Sequence, residues 1–247
     1  MTQPIPLPPP PDLRTLIAAG PVALFLDFDG TLVELAPTPD AIVVPAGLAG
    51  NLVQLSERLD GRLALVSGRD LADLARYLGE LRVACAGSHG AARRRADGAA
   101  LDGPATPLDP AIVAEVESFA RISGARFERK DHGAALHSRT APALEQPNLD
   151  FMEGLAARRG LAFKRGGFVA EVTLHGADKG AAVRAFMTTE PFTRARPVFI
   201  GDDVTDDDGF AAVRELGGLA IAVGARPAPL AHFALACPAA VRDWLGV

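Results

Sequence analysis

Short, wholly apolar runs recur along the chain, and most of them end in a polar turn. Runs of this length suit strands that are buried on both faces of a parallel sheet. Segments with apolar residues at helical spacing lie between several of them. Strands that alternate with helices predict an α/β sheet with right-handed crossovers. The predicted strands are residues 22–26, 63–66, 83–86, 198–200 and 219–223, and the helical stripes are 48–59, 71–78, 182–187 and 210–216.

The pattern changes between residues 93 and 173, where shorter strands of mixed character surround two helices. A sheet with one open face in an α+β arrangement fits this composition. The parallel pattern resumes after Lys179, so the α+β segment interrupts the core. We therefore predict a disordered lead over residues 1–12, a core over 13–92 and 174–247, and an insert over 93–173. Within the insert the predicted strands are 125–129, 134–138, 161–165 and 168–173, and the predicted helices are 110–123 and 148–159.

Composition and charge narrow the class of protein. The 247 residues are 49% hydrophobic and 22% charged, which is enough apolar material for a core domain and a smaller second one. A net charge of −5 argues against a nucleic-acid partner, because such surfaces are normally basic. Cys85 and Cys237 lie in apolar runs and are expected to be buried thiols. No apolar run is long enough to span a bilayer and no signal-peptide pattern is present, so we expect a soluble, cytoplasmic protein without a membrane partner.

The first predicted strand leads directly into two carboxylates, Asp27 and Asp29, followed by Gly30. Ligands of open α/β sheets gather beyond the carboxyl ends of the strands, so this pair is a candidate site. Taken alone, the pattern fits an acidic turn with Asp29 as a helix cap equally well.

Polar residues also follow the second and third predicted strands. Ser67, Gly68 and Arg69 combine a hydroxyl with a flexible backbone at a helix start, an arrangement that suits a phosphate oxygen. His89 lies in a Gly-Ser-His-Gly turn where the insert begins. Lys179 starts a later helix and can neutralise a transferring phosphoryl group. The ordinary alternatives are a helix cap for Ser67 and an exposed side chain for Lys179.

The fourth strand end carries five carboxylates within seven residues, 202–208. Carboxylates so close together repel one another. Asp207 and Asp208 are explained as acidic residues in the first turn of a helix, which Thr205 or Asp206 would cap. Asp202 and Asp203 precede that helix, and a hard divalent cation such as Mg²⁺ would relieve their repulsion.

Together these four segments resemble the haloacid dehalogenase (HAD) superfamily of phosphohydrolases, whose four motifs occur in this order. The resemblance implies a Rossmann-like core with a parallel sheet and a smaller inserted α+β cap. It also implies that Asp27 is the nucleophile that becomes phosphorylated and that Asp29 is the general acid and base. Ser67 and Lys179 would hold the phosphoryl oxygens. The implied Mg²⁺ ligands are Asp27, the backbone carbonyl of Asp29 and Asp202, supported by Asp203 or Asp206.

The position of the insert is similar to that of the larger, type C2 caps in the superfamily. Local phrases, from Asp27-Phe28-Asp29-Gly30-Thr31-Leu32 to Gly201-Asp202-Asp203-Val204-Thr205-Asp206, resemble those of trehalose-6-phosphate phosphatases. This resemblance implies a phosphatase that hydrolyses the sugar phosphate trehalose 6-phosphate to trehalose and phosphate, with a functional link to a trehalose-phosphate synthase. The residues expected to bind substrate are Ser67, Gly68, Arg69 and His89 in the core and Lys130, His137, Arg139 and Glu171 in the cap. The alternative for the cap residues is a polar outer face of the cap sheet.

Two other functions remain open at this point. A phosphatase with the same cap could act on sucrose phosphate or on a glycosyl phosphoglycerate. A non-catalytic relative could sense a sugar phosphate or regulate a synthase, but such a protein would be expected to have lost Asp27, Asp29 or Lys179, and all three are present.

Overall fold

The structure, a computed structural model, describes residues 7–102, 107–130, 132–174, 176 and 178–247. The described chain divides into two compact units. Unit 1 comprises the residues up to Leu101 together with Asp178–Val247, and unit 2 comprises Asp102–Ala177. Unit 2 is therefore an insertion in the sequence of unit 1.

Helices and strands alternate through most of the chain. The strands are β1 (Val22–Leu26), β2 (Leu63–Val66), β3 (Ala84–Gly87), β4 (Ala92–Arg94), β5 (Arg126–Lys130), β6 (Gly133–His137), β7 (Ala162–Gly166), β8 (Val169–Thr173), β9 (Arg196–Gly201), β10 (Leu219–Val223) and β11 (Phe233–Leu235). The α-helices are α1 (Leu13–Ala19), α2 (Leu48–Arg58), α3 (Leu71–Leu78), α4 (Pro110–Ser123), α5 (Glu145–Arg159), α6 (Lys179–Met187), α7 (Asp207–Glu215) and α8 (Pro238–Leu245). Short 3-10 turns occupy Pro39–Ala41, Ser88–Gly90, Pro142–Leu144 and Val204–Asp206.

The described residues of unit 1 form a seven-stranded sheet in the order β11-β10-β9-β1-β2-β3-β4. All neighbouring strands are parallel except β3 and β4. Alternate residues of β1 enter two separate apolar clusters, Leu24 and Leu26 on one face and Phe25 on the other. Helices α1, α2, α3 and α8 contribute to the first cluster, and α6 and α7 contribute to the second. Burial on both faces explains why the strands are continuously apolar.

Unit 2 contains a four-stranded antiparallel sheet in the order β5-β6-β8-β7. One face of this sheet packs with α4 and α5 around a core that includes Leu136 and Val172. The residues of opposite parity, among them Glu128, Lys130 and Glu171, lie on the other face.

The structure departs from the sequence predictions at several elements. It adds α1, β4, β11 and α8, which the apolar pattern did not predict, and α5 begins at Glu145, earlier than the predicted residue 148. Strand β4 pairs antiparallel with β3, so the chain rejoins the first sheet before it leaves for unit 2. The division between the units consequently follows Leu101, later than the predicted residue 93.

Other predictions concern the ends of the chain and the cysteines. Part of the predicted disordered lead, residues 1–6, lies outside the described residues. Farther along that lead, the carbonyls of Pro8 and Pro11 accept hydrogen bonds of 3.0 Å from Ala234 N and from the indole of Trp244. Cys85 is buried, but the prediction that Cys237 is buried is wrong. Over the part of the chain that is described, none of the helices combines the length and the apolar character needed to cross a membrane.

Candidate active site

The register of the central strands brings the polar strand ends to one edge of the sheet. Strand β1 lies between β9 and β2, and Leu26 pairs with Ile200 and with Leu65. Asp27 therefore leaves the sheet beside the residues that follow β9 and β2. This edge is where open α/β sheets bind their ligands.

Lys179 joins two of the carboxylates at this edge. It is the first residue of α6, and the side chain of Asp178 caps this helix by accepting a 2.6 Å hydrogen bond from Ala181 N. The Lys179 Nζ donates to Asp27 Oδ1 at 2.7 Å and to Asp206 Oδ1 at 2.6 Å, and all three side chains are buried. Burial alone would lower the pKa of Lys179, but the charges of Asp206 and Asp27 raise it above its usual value. The two carboxylates therefore stabilise the charged form of the amine.

Three carboxylates form a cluster that could hold a metal ion. Asp27, Asp202 and Asp206 each offer one oxygen, and these oxygens lie within 4.8 Å of one another. Burial, reinforced by the charge of Asp206, raises the pKa of Asp202 to about 7. Burial also raises the pKa of Asp27 well above its usual value, although the charge of Lys179 opposes this. The buried Asp202 Oδ1 has no hydrogen-bond partner within the described residues. Hard oxygen donors, excess negative charge and an unpartnered carboxylate oxygen all fit a divalent cation such as Mg²⁺.

Gly30, which follows β1, is in close contact with Asp202, which follows β9. Gly30 has φ +78°, a conformation that side chains rarely adopt. A Cβ atom at this position would collide with the carboxylate of Asp202. Glycine is thus required both by the turn and by the approach of the carboxylate.

Asp203 and Asp206 stabilise the turn between β9 and α7. They form a capping box around the 3-10 turn, in which Asp206 Oδ2 accepts from Asp203 N at 2.8 Å. Asp206 occupies the N-cap position of α7, but its side chain does not bond the amides of that helix. The predicted N-cap position at Asp206 is confirmed, but its carboxylate makes no capping hydrogen bond, because it already accepts from Lys179 and from Asp203 N.

Arg69 holds the carboxylate of Asp29. The guanidinium Nε and Nη2 each donate to one oxygen of Asp29 at 2.7 Å, and Nη1 donates to Asp73 at 2.5 Å. Burial alone would lower the pKa of Arg69, but its hydrogen bonds with Asp29 and Asp73 raise that pKa above the ordinary value of an arginine. We expected Arg69 to bind substrate, whereas here its nitrogens contact carboxylates.

Ser67, Gly68 and His89 lie close together after β2 and β3. Ser67 is almost completely buried, and its Oγ accepts a 3.1 Å hydrogen bond from Arg69 N. The Ser67 carbonyl accepts from His89 N at 2.9 Å, and a Cβ on Gly68 would come within 2.7 Å of the His89 ring. The chain thus places a hydroxyl, a glycine and an imidazole side by side.

Polar side chains cover the outer face of the sheet in unit 2. Lys130 Nζ donates to Glu171 Oε2 at 2.7 Å, and both side chains are buried. His137 pairs with Glu128 at 2.5 Å, and this contact lowers the pKa of Glu128 against the opposing effect of burial. Strand β6 ends at His137, and Arg139 is exposed in the turn that follows it.

A family model described as trehalose-phosphatase matches residues 25–235, which include both the strand-end residues and the insert. The chain belongs to the trehalose-phosphatase family. The resemblance predicted from the motifs is thereby confirmed.

Individual members of the trehalose-phosphatase family support the same assignment. The chain is 38% identical over 233 residues to the trehalose-6-phosphate phosphatase of Escherichia coli (strain K12), covering 90% of this chain and 85% of that protein. It is 42% identical over 205 residues to a probable trehalose-phosphate phosphatase of Sinorhizobium fredii (strain NBRC 101917 / NGR234), covering 82% and 77%.

Comparison of structures supports the predicted fold class. The C-terminal domain of the C. albicans trehalose-6-phosphate phosphatase superposes with a TM-score of 0.81 at 22% identity, covering 99% of this chain and 98% of that one. At this identity the likeness shows the fold alone. The predicted α/β core with a parallel sheet and an inserted α+β segment is confirmed.

Some residues at the site of this trehalose-phosphatase family member were not predicted. Asp73 completes the ion pairs of Arg69, and Glu128 completes that of His137. Arg226, which follows β10, binds the turn that carries the acidic residues. Like the predicted residues it follows a strand end, so the same rule could have identified it.

Proposed function

We propose that the protein hydrolyses trehalose 6-phosphate to trehalose and phosphate, with Asp27 as the nucleophile. The observation that carries this proposal is the buried Asp27 carboxylate, which is bound by Lys179 and lies in a carboxylate cluster at the centre of the strand-end edge. The family and the names of the relatives supply the substrate.

The proposed reaction has two steps. An Asp27 oxygen attacks phosphorus and the bond from phosphorus to the sugar oxygen breaks. Asp29, which must first leave its ion pair with Arg69 and take up a proton, gives that proton to the sugar oxygen. A water molecule then attacks the phosphorus of the aspartyl phosphate, and Asp29 takes up the proton of this water. Phosphate leaves and the Asp27 carboxylate is restored.

The charges at the site suit this reaction, because an anionic nucleophile must approach a dianionic ester. Lys179 supplies one fixed positive charge. Asp27, Asp202 and Asp206 would hold Mg²⁺, with the Asp29 carbonyl as a further ligand. Asp206 lies in the carboxylate cluster with Asp27 and Asp202, whereas Asp203 is not part of it, which favours Asp206 over Asp203 as the supporting carboxylate. When bound, Mg²⁺ would supply positive charge that stabilises the transferring phosphoryl group.

Substrate recognition is proposed to involve both units. Ser67, Gly68 and His89 would bind the phosphate by hydroxyl, amide and imidazole donors. In unit 2, the polar residues Lys130, His137, Arg139 and Glu171 offer donors and acceptors for sugar hydroxyl groups. A cytoplasmic location and a functional link to a trehalose-phosphate synthase remain predictions.

Phosphate release from a panel of sugar phosphates tests this proposal. The panel contains trehalose 6-phosphate, sucrose phosphate and a glycosyl phosphoglycerate, each with Mg²⁺ and with a chelator. We expect Mg²⁺-dependent release with a strong preference for trehalose 6-phosphate, and none from the Asp27→Asn variant. Preference for another member would refute the substrate, and release by Asp27→Asn at the wild-type rate would refute the nucleophile.

A further inference from the structure

Arg226 binds the turn that carries the acidic residues. It lies in the loop after β10, and its side chain is about a quarter exposed, at 24%. Nε donates to the Asp202 carbonyl at 3.1 Å, and Nη2 donates to the Asp203 carbonyl at 2.9 Å. Nη2 also donates to Asp207 Oδ1 at 2.8 Å. One planar guanidinium thus connects two consecutive carbonyls with the first residue of α7.

The backbone carbonyl and the side-chain carboxylate of Asp202 have different partners. Its carbonyl is bound by Arg226, whereas its carboxylate lies with those of Asp27 and Asp206 in the candidate metal cluster. Fixing the carbonyls of Asp202 and Asp203 restricts the backbone rotation that would move the Asp202 side chain out of the cluster. A lysine could not do the same, because a single ammonium group lacks the forked donors that reach all three acceptors.

From these contacts we infer that Arg226 is a positioning residue for the metal centre, holding Asp202 in the geometry that binds the cation. This inference rests on the proposed function, in which the cluster of Asp27, Asp202 and Asp206 holds Mg²⁺. Outer-shell partners that orient a ligand typically change metal affinity by about 10- to 100-fold when they are removed.

Whether replacing Arg226 weakens or strengthens metal binding distinguishes a positioning role from a purely electrostatic one. A guanidinium close to a cation site repels the cation, so removing its charge alone would strengthen metal binding. Loss of positioning would weaken metal binding instead. Replacement by lysine keeps the positive charge but removes the forked guanidinium donors. If Arg226 acts by positioning Asp202, this replacement should also weaken metal binding.

The experiment measures Mn²⁺ binding, by electron paramagnetic resonance of the free ion, to the full chain without substrate. The variants are Arg226→Gln and Arg226→Lys. Arg184→Gln is the matched control, because Arg184 forms an exposed ion pair with Glu215 on the surface of unit 1. Thermal unfolding of each variant confirms that it is folded. We expect roughly 10-fold weaker Mn²⁺ binding for both Arg226 variants and wild-type binding for Arg184→Gln.

Unchanged or tighter Mn²⁺ binding by Arg226→Gln would overturn the inference, and so would wild-type affinity in Arg226→Lys. If Arg226→Gln is unfolded, the Arg226→Lys result decides alone. A wild-type protein that binds no Mn²⁺ would also overturn it. Since substrate is absent, a failure to hydrolyse trehalose 6-phosphate would refute the proposed function separately and leave the affinity ratio intact.

Discussion

At the residue scale, Lys179 is the cation on which two buried carboxylates depend. Removing one partner of a buried ion pair leaves uncompensated charge and typically costs about 3–5 kcal/mol. We predict that Lys179→Met lowers the free energy of unfolding by an amount in that range and abolishes phosphate release. Urea denaturation without Mg²⁺ measures the first effect.

Arg184→Gln is again the control for this stability measurement, because it breaks an ion pair whose two side chains are exposed. Such pairs contribute about 0–1 kcal/mol. If Lys179→Met changed stability as little as Arg184→Gln does, the buried ion pairs with Asp27 and Asp206 would not have the importance assigned to them.

The raised pKa values of Asp27 and Asp202 predict how Mg²⁺ stabilisation depends on pH. A carboxyl whose pKa is higher in the folded state takes up a proton on folding, so it favours folding less as pH rises. For Asp202, the favourable contribution to folding is lost between pH 3.8, its ordinary pKa, and about pH 7, its pKa in the folded protein without metal. Mg²⁺ competes with these protons, so the rise in Tm on adding Mg²⁺ should be larger at about pH 8 than at about pH 5.

Differential scanning fluorimetry with and without Mg²⁺ at the two pH values measures this effect. Asp202→Asn is the informative comparison, because it removes one ligand that titrates and should reduce the pH dependence. An equal rise in Tm at both pH values in the wild-type protein would contradict the predicted competition between Mg²⁺ and protons.

The sequence identified most residues of the candidate site but not their partners. Asp27, Ser67 and Asp202 were predicted because polar residues directly after buried strands share one edge of a parallel sheet. The pairing of Arg69 with Asp29 joins positions 40 residues apart, and no local pattern encodes it. Arg226 binds mainly backbone carbonyls, and every residue has a carbonyl, so its partners were invisible in the sequence.

At the scale of elements, the turn after β1 allows little variation. We predict that Gly30→Ala removes phosphatase activity, because a methyl group there would displace the Asp202 carboxylate and strain a backbone with φ +78°. The matched control is Gly50→Ala in α2, where the new methyl group meets no atom. That change should keep activity and stabilise the helix by up to about 1 kcal/mol.

Phosphate release and urea denaturation of the two glycine variants check this prediction. An active Gly30→Ala variant would contradict the close contact between the turn after β1 and the Asp202 carboxylate after β9.

The elements that were predicted are those with long apolar runs. Strands buried on both faces and helices with a clear stripe were found, with end points within a few residues. The three-residue strands β4 and β11 are too short to show a period. Helix α8 did carry a signal, since it begins with Pro238, is followed by Gly246 and has Val241 and Leu245 on one side.

At the scale of the whole molecule, we propose that the two units have different roles. Unit 1 contains the residues proposed for the chemistry, and unit 2 contains polar residues proposed to bind the sugar. We therefore predict that Arg139→Gln lowers kcat/KM for trehalose 6-phosphate by about 10-fold, corresponding to the loss of one charge-assisted hydrogen bond. Hydrolysis of p-nitrophenyl phosphate, which has no sugar, should be unchanged.

Arg129→Gln is the control for this prediction, because Arg129 is also an exposed arginine of unit 2 but was not proposed to bind substrate. Steady-state kinetics on both substrates separates the two variants. Equal kinetics of Arg139→Gln and the wild type on trehalose 6-phosphate would contradict the assignment of Arg139.

The most direct test of the account is chemical trapping of the phosphorylated nucleophile. The protein is mixed with Mg²⁺ and trehalose 6-phosphate, quenched in acid during turnover and reduced with borohydride, which converts an aspartyl phosphate to homoserine. Mass spectrometry of the digested chain should find homoserine at position 27 and unmodified aspartate at position 29. Rapid phosphate release with no homoserine at position 27 would contradict the proposal that the reaction proceeds through phosphorylated Asp27.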